Sequence, residues 1–217
     1  MSRNDAARRA ARAYTARLRA CLGTVSAGEI AAVADRLHRI ARAGGTIFLA
    51  GNGGSAATAT HVALDLGKST LGRPPRLGAK RVRTVALCEP ATLTAWANDH
   101  GYEHVFAEQI RTLAGPGDAV LLFSVSGSSP NIVAAARAAR ATGAAVIALV
   151  GRPGGEVRTM ADLVVVAPSD EYEVVEDVHL TIGHILTVHL RDALRDAGAR
   201  PGRRRRTPGR TRARRPD

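Results

Sequence analysis

The chain has 217 residues, of which 45% are hydrophobic and only 3% aromatic; this suits one α/β domain with appendages and a core of Ala, Val, Leu and Ile. No apolar run approaches the roughly 20 residues of a membrane span, the arginine-bearing N-terminus lacks the apolar stretch of a secretory leader, and two widely spaced cysteines, Cys21 and Cys88, exclude a disulfide framework and fit a reducing cytoplasm. The net charge of +12 is concentrated in residues 197–217, where nine Arg and one Asp give +8 and leave +4 for the rest.

In chain order, the pattern predicts two N-terminal helices, about 4–22 and 27–43, within an added segment 1–44. Five short apolar or β-branched runs then read as strands: Thr46–Ala50, Arg83–Leu87, Ala119–Phe123, Ala145–Val150 and Leu163–Ala167. Turn signals bound them, with Gly44-Gly45 before the first, Gly115-Pro116-Gly117-Asp118 before the third and Gly143 before the fourth. Helical segments fall between, about 55–67, 90–112, 130–142 and 155–161, and a last helix spans 172–195. Strands apolar throughout and joined by helical crossovers predict a parallel sheet covered on both faces, a three-layer α/β sandwich over 45–196. Residues 197–217 hold too few apolar side chains to order and are expected to be disordered. Their charge reads as drift at an unconstrained terminus, so nucleic acid is not an expected partner.

Right-handed crossovers place ligand loops at the carboxyl ends of the strands. The first such loop is Gly51-Asn52-Gly53-Gly54-Ser55, with Ser55 placed to cap the next helix. The second is Ser124-Val125-Ser126-Gly127-Ser128-Ser129-Pro130-Asn131, four serines around a glycine with Pro130 where a helix begins. Alone, either is a polar turn into a helix. Two of them at neighbouring strand ends favour a phosphorylated ligand on hydroxyls and helix-start amides.

His61 and Asp65 are spaced i, i+4 and share a helix face. Glu176 and His184, eight residues apart on the last helix, share another. Two histidines with two carboxylates suit a divalent metal or an acid–base pair, and spacing alone leaves both open.

These residues resemble those of the SIS (sugar isomerase) domain family, and within it the phosphoheptose (sedoheptulose-7-phosphate) isomerases. The landmarks are Gly51–Ser55, His61 with an acid at 65, Ala97-Asn98-Asp99 followed by Tyr102-Glu103 and Phe106, the 124–131 serine stretch, and Glu176-Asp177-Val178-His179 on to His184. Their order holds from about residue 10 to 195. The resemblance implies a flavodoxin-like five-stranded parallel sheet, and a cytoplasmic homotetramer in which the N-terminal helices take part and active sites lie between subunits. It implies substrate contacts at Asn52, Gly53, Gly54, Ser55, Asp65, Asn98, Asp99, Ser124, Val125, Ser126, Ser129 and Glu176. It further implies one zinc per subunit on His61, Asp65, Glu176 and His184, with Asp65 as base and His184 as its acid–base partner. Two positions depart from the family pattern, which usually has Glu at 65 and Gln at 176.

The expected activity is aldose–ketose isomerisation of sedoheptulose 7-phosphate to a heptopyranose 7-phosphate through an enediol. The alternative is a non-catalytic SIS-domain protein, a sugar-phosphate-responsive regulator or a replication-initiator-binding protein. His61, His184 and an acid at 65 occurring together favour the enzyme.

Overall fold

The computed structural model describes residues 2–71 and 81–198. Two N-terminal helices, α1 (Arg3–Leu22) and α2 (Ala27–Ala43), precede a five-stranded sheet. The strands are β1 (Thr46–Gly51), β2 (Arg83–Ala86), β3 (Ala119–Ser124), β4 (Ala145–Val150) and β5 (Leu163–Val166). All neighbours pair in parallel in the order β2-β1-β3-β4-β5. The chain therefore changes direction across the sheet between β1 and β3. In open α/β sheets that crevice is where ligands bind, and both glycine- and serine-rich loops open onto it.

The central strands β1 and β3 are buried along their whole length. Side chains alternate between two cores, as the two-residue period of a strand requires. Ile47, Leu49, Leu121, Phe123, Ile147 and Leu149 face α1, α2, α3 (Gly54–Ser69) and α8 (Tyr172–Gly198). Phe48, Ala50, Val120, Leu122, Val146 and Ala148 face the layer built from α4 (Pro90–His100), α5 (Ala107–Leu113), α6 (Pro130–Thr142) and α7 (Val157–Met160).

Three expected boundaries change. The helix expected over 90–112 breaks at Gly101, whose φ of 86° with ψ of 149° is a glycine conformation. A 3₁₀ turn at Tyr102–His104 follows before α5 begins. The helix expected over 155–161 shrinks to the four residues of α7. Helix α8 runs through Gly198, past the expected end at 195 and two residues into the segment expected to be disordered; the remainder of that segment lies outside the described residues.

Helices α3 and α8 lie side by side and run the same way, since residues 54, 61 and 62 meet 176, 184 and 183 in turn. Gly183 permits the close approach. A β-carbon built there would lie 2.3 Å from Cγ2 of the buried Val62.

Candidate active site

The first loop turns sharply from β1 into α3. Gly53, at φ 53° and ψ −121°, is the residue before the helix and makes no side-chain cap. Ser55 is therefore not the cap expected from the sequence. It is the second helical residue, buried at 4% exposure. A different side chain covers the helix start: the Glu176 carboxylate lies flat against Gly54, next to the Ser55 backbone. Burial is the main cause of an upward shift in the Glu176 pKa, helped by the charges of Glu173 and Asp177 and opposed by the nearby Ser55 backbone amide.

Asn52 points toward the second loop. Its amide pairs reciprocally with that of Asn131, Nδ2 donating to Oδ1 at 2.9 Å in one direction and 2.8 Å in the other. Tyr102 Oη adds a third bond to Asn52 Oδ1 at 3.0 Å. Asn131 is 2% exposed, and this pairing satisfies a buried amide that would otherwise be costly. The sequence showed Asn131 only as the end of the second loop and Tyr102 only as a landmark of the resemblance, because nothing in their spacing shows that they meet Asn52.

The second loop is shaped by its own serines. Ser124 Oγ accepts the Gly127 N–H at 3.0 Å, and Ser126 Oγ accepts the Ser128 N–H at 3.2 Å. Val125 is buried, and its carbonyl accepts the Gly151 N–H. Ser129 precedes α6 without a side-chain cap, while its carbonyl receives the Ile132 and Val133 N–H groups. Asn98 and Asp99 bond each other at 2.8 Å on the exposed end of α4. From that region it is Tyr102 that reaches the first loop.

About two turns into α3, a second cluster forms with α8. His61 Nε2 is 3.4 Å from Asp65 Oδ2, His184 Nε2 is 3.8 Å from the same oxygen, and the two imidazole nitrogens are 3.5 Å apart. Tetrahedral zinc with bonds near 2.0–2.1 Å requires donor atoms about 3.3 Å from one another. Two imidazoles and a carboxylate at these separations fit such an ion, with a fourth position left open as in catalytic sites. Glu176, expected in this set, is not part of it. Eight residues on a helix span about 12 Å of axis, so with parallel helices Glu176 meets the start of α3 while His184 meets its second turn. A shared face did not mean a shared point.

With the site in view, comparison with known proteins identifies the lineage. The profile of the SIS domain matches residues 12–151. The chain belongs to the SIS domain family. This SIS-domain protein is 44% identical over 160 residues to a phosphoheptose isomerase of Solidesulfovibrio magneticus, covering 73% of the chain and 76% of the relative. Its fold superposes on a phosphoheptose isomerase structure from Francisella tularensis with a TM-score of 0.77 at 26% identity, covering 88% of this chain and 100% of that one. A Neisseria gonorrhoeae phosphoheptose isomerase gives 0.76 at 28% identity, with 88% and 98% covered. The five-stranded α/β architecture expected from the sequence is the architecture of these SIS structures.

Proposed function

We propose that this SIS-domain protein is a phosphoheptose isomerase, interconverting sedoheptulose 7-phosphate and a heptopyranose 7-phosphate through an enediol. The observation that carries the reading is the His61–Asp65–His184 cluster beside two polar loops at the sheet's switch point, in a chain whose curated relatives are phosphoheptose isomerases.

The serine loop, with Ser124, Val125, Ser126 and Ser129, takes the phosphate at the start of α6. Asn52, Gly53, Gly54, Ser55 and Glu176 meet the sugar, and Asn98 and Asp99 approach it from α4. Asp65 moves a proton between C1 and C2. Both of its histidine contacts use Oδ2, which leaves Oδ1 for the proton. His184 serves the substrate oxygens as acid and base. Zinc held by His61, Asp65 and His184 would polarise the substrate carbonyl as a Lewis acid.

A homotetramer and a cytoplasmic location complete the proposal. Exposed Leu64, Ile185 and Val188 flank the cluster and suit cover by a second copy. Both cysteines are free thiols, as a reducing compartment allows.

The test is incubation of the purified protein with sedoheptulose 7-phosphate, with and without added zinc, and detection of the aldose product. Binding without conversion under both conditions defeats the isomerase reading and leaves a sugar-phosphate-binding protein.

A further inference from the structure

Glu176 sits where a ligand anion would be expected. Its carboxylate lies over the first residue of α3, next to the Ser55 backbone. It covers Gly54 so closely that a β-carbon there would lie 2.2 Å from Oε2 and 2.4 Å from Oε1. A helix start carries about half a positive charge, and a resident carboxylate balances it. Glu173 and Asp177 add negative charge beside it on α8. A second anion brought to these amides meets repulsion where an empty helix start would offer attraction. An ionised carboxylate has lone pairs and no proton, so its partners are hydroxyl donors and not phosphate oxygens.

We infer that Glu176 is a specificity-determining residue that reserves the first loop for sugar hydroxyls and refuses a phosphate there. The substrate then lies in one direction only, its phosphate on the Ser124–Ser129 loop. Sugars phosphorylated at both ends are the class excluded. This rests on the sugar-phosphate isomerase reading, which already puts the phosphate on the serine loop, and adds to it the residue that enforces that orientation. Gly54 belongs to the same device, because any side chain there would push the carboxylate off the Ser55 amide.

The test compares binding of sedoheptulose 7-phosphate and sedoheptulose 1,7-bisphosphate by calorimetry, in the wild type and in Glu176→Gln. Glutamine keeps the length and an acceptor oxygen and removes the charge. The wild type is expected to prefer the monophosphate at least tenfold. Glu176→Gln is expected to narrow that preference tenfold or more, mainly by tighter bisphosphate binding. Equal wild-type affinity for the two sugars overturns the inference, as does a ratio in the variant within threefold of wild type. Turnover of the monophosphate by the wild type is measured alongside. If turnover is present and the ratio does not move, the inference alone fails; if the monophosphate is neither bound nor converted, the isomerase reading fails and takes the inference with it.

Discussion

Gly183→Ala is the sharpest probe of how α3 and α8 build the metal-type cluster. The new methyl would start 2.3 Å from Val62 Cγ2, and ordinary contact begins at 3.4 Å, so something must yield by 1.1 Å. Val62 is 1% exposed and, being β-branched in a helix, has essentially one comfortable rotamer. The helices must therefore separate. A 1.1 Å separation stretches the His61–His184 nitrogen distance from 3.5 Å to roughly 4.6 Å, well beyond the ~3.3 Å edge of a tetrahedral zinc site.

A misplacement of about 1 Å costs on the order of 100-fold in turnover. Stability should move much less, because overpacking costs about 1–3 kcal/mol while replacing a helical glycine with alanine returns about 1 kcal/mol. The assay is kcat on sedoheptulose 7-phosphate together with a urea melt. Adding Val62→Ala removes the obstructing methyl groups, so the double variant should regain most of its kcat while melting earlier than Gly183→Ala. A Gly183→Ala kcat within threefold of wild type, or a double variant no faster than the single one, refutes the packing argument.

Asp65→Asn keeps the side-chain shape and loses the base; kcat should fall about 10²- to 10⁴-fold with KM changed less than about threefold, measured by steady-state kinetics. Removing metal with a chelator should abolish turnover, and zinc should restore it at one equivalent per subunit by elemental analysis; full activity in metal-free protein would contradict the zinc assignment. His179 is fully buried, neither ring nitrogen has a hydrogen-bond partner among the described residues, and burial pushes its pKa down to about 4. Because the unfolded chain takes up this proton near pH 6.5 and the folded one only near 4, stability should fall as pH drops through that window. The loss relative to His179→Leu should reach about 3 kcal/mol, and parallel pH profiles of chemical unfolding for the two proteins would count against it.

The strands were legible because uniform apolar runs between glycine signals have few other readings, and the two loops followed from parallel topology. Gly101 was harder to read. It sits inside an otherwise helical pattern, and a lone glycine breaks a helix only when the surrounding packing wants the turn, here to bring Tyr102 to Asn52. Ser55 looked like a cap because serine at a loop–helix junction usually is one; here the helix start is instead covered by Glu176, 121 positions later in the chain. The pairing of His61 with His184 was an open conjunction in the sequence, since the face of each helix is readable but the level at which two helices meet is not. That same gap put Glu176 with the metal-type ligands when it belongs to the first loop.

The paired amides of Asn52 and Asn131 have a consequence for substrate choice. They rivet the two loops together, one from the end of β1 and one from the end of β3, and those strands are themselves bonded neighbours. The spacing between the two loops is thus set by the sheet and not by loop adjustment. The two loops thus form a fixed gauge, and a ligand that bridges them must fit a spacing set by the sheet.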